Sequence, residues 1–494
     1  MKILVLDTIH GGKTIAGYLT ALGHTCDTVD VYRHESGITE EEAVRNLTLK
    51  RYDLVCAPIH LSPEYCILKS AAAEGIPVRS HHEISSMIVS ESVKCESVKS
   101  ESYESKLTDT GNDTGNPKPV IEITGTRGKT TTAYAISHML SHAAAISAIP
   151  PEKTPDFENS QKILETESGI LHTSRETVTV PNGRVLQRVS ITPASSIMPA
   201  LYALKNNLWF VAEESLGVCG FGNLAVLTST EDYPCADKKR SALAVKLASM
   251  AGCGRVLIGY GADKSKVLET VESLPPSRRI PRERLFFAYD VVGVDDGTCR
   301  YDSGGFSNRE ASEKIAGSFS NPLLCLEGYK QAIATAAAAA CLLGYNPDSL
   351  SGFSSVPGRL SLTRENGITI IDNSNSGTNR NTSLIAAEYA RKTDNTHSGI
   401  ILVIGIESET VCEGFSKEDV TSAIAGIKPE CAVVVGDSLK GIVTDDFDNT
   451  IIYHADNLES GRKRALEIAG VSDNEDKQGE RGGKTVILCV KTWR

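Results

Sequence analysis

No stretch of this sequence approaches the ~18 consecutive apolar residues that a membrane span needs, so no membrane-crossing segment is expected. It also lacks a basic surplus: 51 Lys and Arg stand against 62 Asp and Glu, for a formal net charge of −11. A broad phosphate-neutralising surface is not to be expected, and nucleic acid drops out as a partner. Cysteine pairs at metal-ligand spacing are missing. The thirteen cysteines stand singly in runs such as DLVCAP, ATAAAAACLL and TVILCV, with no CxxC, and read as reduced core residues of a cytoplasmic protein. The opening MKILVLDTIHGGK runs from a short apolar strand straight into a Gly-rich turn, so no export signal is expected there.

What is present is a long α/β chain. Its 494 residues exceed one ordinary core, and two to four domains of roughly 100–200 residues are expected. Residues 1–88 alternate strand-like runs (KILVLD, YDLVCAP, IPVRS) with helical ones (KTIAGYLTALG, EEEAVRNLTL, EYCILKSAAAEG), a βαβ rhythm that implies a mostly parallel sheet. Residues 89–117 carry the imperfect repeat ESVK, ESVK, ESYESK and almost no large apolar side chains, the composition of a flexible solvated linker. A second domain is expected over 118–347, from the strand PVIEITG to the alanine-rich helix YKQAIATAAAAACLLG. A third, 348–494, returns to the βαβ rhythm with strands GITIID, GIILVIG, ECAVVVG, TIIYHA and KTVILCV.

One motif stands above the rest. Gly125-Thr126-Arg127-Gly128-Lys129-Thr130 follows a strand and opens the helix KTTTAYAISHMLSHAA. Backbone N–H groups and a helix N-terminus there would surround a phosphate, with Lys129 reaching the terminal phosphates and the Thr130 hydroxyl on Mg²⁺. Thr131 extends the same first turn. Ile123 occupies the place of the first glycine in the longer Walker loop, so this is the shorter GTxGKT form. Two turns near the start also follow strands, at the sheet edge where such folds bind ligands: Asp7-Thr8-Ile9-His10-Gly11-Gly12 and Ala57-Pro58-Ile59-His60. Either His10, Gly11 and His60 face a common substrate, or these are ordinary turn residues. His138 and His142 share one helix face at i, i+4 spacing without a third ligand, and read as solvated. Arg175, Arg184 and Arg188 concentrate positive charge between 172 and 196, where a polycarboxylate substrate or a functionless basic loop are equal readings.

The GTxGKTTT loop after a strand, in the middle of three α/β segments, resembles the Mur ligase and folylpolyglutamate synthetase superfamily. The resemblance implies a Rossmann-like N-terminal domain, a central P-loop ATPase domain and a Rossmann-like C-terminal domain that closes over the nucleotide, with a hinge near residues 346–358. In LWFVAEESLGVCG it implies that Glu213, followed by Ser215, binds magnesium, with Glu214 a second candidate. The family's TN...DH segment reads AVLTSTEDYPCADKK here: Asp232 matches and Tyr233 replaces the second-metal His. Lys246 lies near the offset of the family's carbamylated lysine. In VPGRLSLTRENGITIIDNSNSGTN, Arg359 would contact the nucleotide phosphates and Asp372 the ribose, with Asn373 and Asn375 assisting.

Within that superfamily, DTIHGGKT, EITGTRGKTTT, AEESLGVCG, PGRLSL and IDNSNSGTN are similar to the coenzyme F(430) synthase family. That resemblance implies an ATP- and Mg²⁺-dependent, ADP-forming ligase. It would activate a carboxylate of a nickel tetrapyrrole as an acyl phosphate, which a carbon attacks to close a carbocyclic ring. An amide-forming ligase that joins an amino acid or peptide to a carboxylated substrate is the alternative. A small-molecule substrate is expected in either case, and no oligomeric state is read.

Overall fold

The computed structural model describes residues 1–97, 118–147, 167–306, 314–375, 377–393, 399–407, 415–470 and 484–492. The chain divides into two compact units, Met1–Phe353 and Ser354–Arg494.

The first unit begins with β1 (Lys2–Leu6), β2 (Thr25–Val29), β3 (Leu54–Ala57) and β4 (Val78–Ser80), a parallel sheet in the order β2-β1-β3-β4. Strands of such a sheet are covered on both faces, so they read as unbroken apolar runs. In β1, Ile3 and Val5 enter one core with Ile84 and Ile88, while Leu4 and Leu6 enter another with Leu47 and Ile67. Ile84 and Ile88 belong to the helix His81–Ser97, where i, i+4 spacing puts them on one face. Residues 89–97, expected to begin a linker, continue this helix because Val89 is buried with that stripe. The rest of the expected linker, 98–117, lies outside the described residues.

The second sheet has eight strands in the order β14-β13-β10-β5-β9-β6-β7-β8. β5 (Val120–Thr124), β6 (Gly169–His172), β9 (Trp209–Glu213), β10 (Leu224–Leu227), β13 (Val256–Ile258) and β14 (Leu285–Phe287) run parallel, whereas β7 (Thr177–Val180) and β8 (Val185–Gln187) fold back antiparallel. The arginine-bearing segment crosses this β6–β8 edge, with Arg175, Arg184 and Arg188 outside its strands. Val120, Ile170 and Phe210 share a core with Ile3, Ile84 and Ile88, so the first two sheets are joined by packing. The hairpin β11 (Pro234–Cys235) and β12 (Arg240–Ser241) and a three-stranded antiparallel sheet, β15 (Val292–Asp295), β16 (Thr298–Asp302) and β17 (Ala316–Ser320), complete the strands among the unit's described residues. The helix Glu327–Leu343 packs on Lys129–Ser147, and its run Ala336–Ala340 is fully buried. Side chains ending at Cβ let the two helix backbones approach closely.

Among its described residues the second unit has a six-stranded sheet, β18-β19-β23-β20-β21-β22, with the helices Arg380–Thr393, Lys417–Ile427 and Leu458–Gly470. β18 (Ser361–Glu365) is an antiparallel edge; β19 (Ile368–Asp372), β20 (Ile400–Ile406), β21 (Cys431–Val435), β22 (Ile451–Ala455) and β23 (Thr485–Lys491) are parallel. The first unit ends at Phe353. Asn321 Nδ2 donates to Leu350 O and Phe353 O, at 2.8 and 2.9 Å, and holds that turn to the first unit. The fold is α/β as the rhythm implied, with a Rossmann-like parallel sheet at each end and the P-loop sheet between them in sequence.

Candidate functional site

β5 lies between β10 and β9, so the loop leaving its carboxyl end is flanked by the ends of both neighbours. Gly125 and Gly128 have φ of 147° and 79°, conformations that side chains rarely adopt. From β10, the Ser229 hydroxyl accepts the N–H groups of Thr126 and Arg127 at 3.0 and 3.1 Å. Thr228 Oγ1 donates to Arg127 O at 2.5 Å. The loop is therefore held in an arch, with Lys129, Thr130 and Thr131 opening the helix behind it.

Glu213, the last residue of β9, is 3% exposed. Its Oε2 accepts the Thr130 hydroxyl at 2.8 Å and the Ser174 N–H at 3.1 Å, while Lys129 Nζ stands 3.8 Å from Oε1. Lysine, hydroxyl and carboxylate thus meet at the mouth of the loop. Hard oxygen donors of this kind suit Mg²⁺. Lys246 is buried in the helix Ala242–Ser249, and its Nζ donates to Thr126 Oγ1 at 2.9 Å. Burial, with Lys129 adding like-charge repulsion, holds its ammonium down to about 8. Tyr233, which stands where a second-metal histidine was sought, lies with its ring 5.0 Å from Lys246 Nζ. Asp232 accepts from Leu243 N and Ser241 Oγ, fixing the start of the Lys246 helix.

Glu214, the second magnesium candidate, has other partners than Glu213. Successive strand side chains point to opposite faces, so Glu214 turns away from the loop and accepts the Cys219 N–H at 2.7 Å. Its companion there is Glu122, which accepts from Gly220 N and Gly222 N. Burial raises both carboxyls, Glu122 to about 7 and Glu214 well above the usual carboxylate range, where the Glu122 charge adds to the burial. Through the Cys219, Gly220 and Gly222 amides this pair ties β5 to the loop after β9. Arg184 is paired with Glu167 at 2.6 Å and Arg188 with Glu176 at 3.1 Å. Arg175 follows Ser174 in the turn that reaches Glu213. The His138 side chain is half-buried, its ring against Phe353 and its Nε2 2.9 Å from Ser349 O, while His142 on the same face is exposed.

His10 and His60 do come together. Their ring centroids are 5.0 Å apart at the carboxyl edge of the first sheet, both facing the buried Asp7 carboxylate. Gly11 is required by contact, since a Cβ there would stand 2.6 Å from Ala194 Cβ. Sequence reasoning missed three buried histidines, each held neutral by burial with its pKa pushed to about 4. His81 Nε2 meets Leu6 O, His82 Nε2 meets Ser215 O, and His172 bridges Thr177 and Ser195. Of the described cysteines none is in a disulfide, and Cys56, Cys219, Cys341 and Cys489 are among those buried.

In the second unit, Arg359 follows Gly358 (φ 71°) in a turn whose carbonyl at Gly358 accepts Asn375 Nδ2 at 2.8 Å. Ser361 pairs with Asp372 across β18 and β19, so Arg359 and Asp372 lie at the same end of that hairpin. Asp372 Oδ1 accepts the Ser374 N–H, and Asn373 Nδ2 donates to Thr382 O.

Residues 362–475 match the family model for the C-terminal domain of coenzyme F430 synthetase CfbE. Coenzyme F(430) synthetase of Methanosarcina acetivorans is 28% identical to this chain over 509 residues, covering 96% of it and 97% of that relative. The chain resembles coenzyme F(430) synthetase. Among solved structures, murein peptide ligase Mpl from Psychrobacter arcticus aligns over 99% of this chain and 96% of its own at 15% identity and TM-score 0.42. A pseudomurein peptide ligase type C from Methanothermus fervidus aligns over 99% and 97% at 13% identity and TM-score 0.42. MurF from Acinetobacter baumannii aligns over 89% and 87% at 12% identity and TM-score 0.47.

Proposed function

We propose that the chain is an ATP-dependent, ADP-forming ligase that activates a substrate carboxylate as an acyl phosphate. The observation that carries this reading is the meeting of Thr130, Lys129 and Glu213 at the mouth of the Gly125–Thr130 loop. That cradle suits the β- and γ-phosphates: N–H dipoles and Lys129 face negative charge, and Thr130 with Glu213 would hold Mg²⁺. The ion, when bound, screens the triphosphate from the attacking carboxylate. A carboxylate oxygen attacks the γ-phosphorus, its bond to the β-bridging oxygen breaks, and ADP leaves. A nucleophile then attacks the acyl carbon and inorganic phosphate departs. Arg359 would neutralise charge on the transferring phosphoryl group, and Asp372 would accept the ribose hydroxyls.

The likeness to coenzyme F(430) synthetase along nearly the whole chain supports a nickel tetrapyrrole polycarboxylate as the substrate and a carbon as the nucleophile, closing a carbocyclic ring. The test is ADP release by purified protein with a nickel tetrapyrrole carboxylate, against UDP-sugar peptides, folates and free amino acids. Release with the tetrapyrrole alone supports the reading. Release that requires an added amino acid would replace ring closure by amide formation.

A further inference from the structure

We propose that Asp7, His10 and His60 bind one divalent transition-metal ion at the carboxyl edge of the first sheet. β1 and β3 are adjacent and parallel, so the turns that follow them lie side by side and deliver all three residues to one place. Asp7 is fully buried. Its Oδ1 accepts the N–H groups of Ile9 and His10, both at 3.0 Å, which leaves Oδ2 facing the imidazoles. His10 Nδ1 is 2.8 Å and His60 Nε2 3.6 Å from that oxygen, and the three donor atoms lie within 4.8 Å of one another. Metal–ligand bonds of roughly 2.0–2.2 Å to nitrogen and oxygen fit among donors so spaced.

Three further features point to a ligand. His60 Nε2 is buried and has no hydrogen-bond partner among the described residues, although it is aimed at Asp7. Asp7 holds φ 69°, a strained conformation for a residue with a Cβ, and such strain gathers where a side chain must be aimed. Tyr32, from the turn after β2, stacks on His60 at 19° and meets His10 edge-on, so both rings are held in place.

Two imidazoles and one carboxylate form a borderline nitrogen–oxygen set that favours Zn²⁺, Ni²⁺, Co²⁺ or Fe²⁺ over Mg²⁺ or Ca²⁺. The His10 side chain is 49% exposed, so the remaining coordination positions face solvent and would take an oxygen donor such as a carboxylate. The site is tied to the phosphate loop within the same unit. Ile59 O accepts Arg240 Nη1 at 3.1 Å, and Arg240 precedes the helix that carries Lys246 to Thr126.

The test is calorimetric titration of the full-length, chelator-stripped protein with Zn²⁺, with elemental analysis for stoichiometry and Mg²⁺ alone for comparison. The expected result is one Zn²⁺ per chain, with His10→Gln and His60→Gln each weakening binding by more than the about 10–100-fold that losing a supporting hydrogen bond costs. A His138→Gln/His142→Gln control keeps full affinity. Both single variants alter partly exposed rings, and circular dichroism checks that they fold. Absence of stoichiometric Zn²⁺ binding, or affinity unchanged in both variants, would overturn the proposal and leave Asp7 as a plain hydrogen-bond bridge.

Discussion

The Thr130 hydroxyl donates a 2.8 Å hydrogen bond to the Glu213 carboxylate, joining the first turn of the loop helix to the end of the neighbouring strand. Both side chains are buried, so the contact is set by the sheet rather than by mobile surface groups. Glu213→Gln keeps the shape and removes the charge. It is expected to lower kcat on the order of 10²–10³-fold and to raise the Mg²⁺ concentration needed for half-maximal rate. Steady-state rates across a Mg²⁺ series measure this, and an unchanged Mg²⁺ requirement would remove Glu213 from the metal site.

Gly125→Ala tests the arch itself. The residue has φ 147°, and a Cβ would stand 2.1 Å from Thr228 Oγ1, a hydroxyl already committed to Arg127 O. ATP affinity is expected to fall at least about tenfold, because strain of roughly 1–3 kcal/mol is added to a steric clash. Adding Thr228→Ala relieves the clash but not the strain, so equilibrium binding of ATP should recover only in part.

Lys246 makes stability depend on pH in a definite sense. The folded lysine titrates near 8 and the unfolded one near 10.5. Between those values the unfolded chain holds a proton that the folded chain has released, so this group's contribution shifts toward the folded state as pH rises. Below about 8 the full cost of the buried charge is present. Compared with Lys246→Met by thermal unfolding, the wild type should gain relative stability from about pH 8 to 10.5. A difference independent of pH across that window contradicts the assignment.

The alanine-rich helix carries a packing prediction. Ala337 is fully buried in the helix that packs on the loop helix. Ala337→Leu adds three carbons at a fully buried position, at a cost of about 1–3 kcal/mol or more. Denaturant unfolding should register that loss, and weaker ATP binding should accompany it because the loop helix must shift.

What could be read from the sequence was what depends on near neighbours. The phosphate loop needs only a strand, two glycines and a helix in order, and all are contiguous. His10 and His60 were placed at one edge because parallel strands send their following turns to the same side. Period-two alternation was available for Glu213 and Glu214 and would have assigned the loop to one of them only. Glu122 was not legible, since the Gly220 and Gly222 amides that hold it lie about a hundred residues on. The helix past residue 88 was hidden for a similar reason: ESVK is polar in composition, and its helix is fixed by Ile84, Ile88 and Val89 packing on a distant sheet. The ion pairs of Arg184 with Glu167 and Arg188 with Glu176 were not legible either, since they form only when the β6–β8 edge brings those residues together.

The central claim is that ATP cleavage at the Gly125–Thr130 loop transfers a phosphoryl group to a substrate carboxylate. Substrate with its carboxylate labelled by oxygen-18 tests this most directly, by mass spectrometry of the released phosphate. Transfer through an acyl phosphate delivers one labelled oxygen into phosphate, with ADP as the co-product. Unlabelled phosphate, or AMP in place of ADP, would contradict the account.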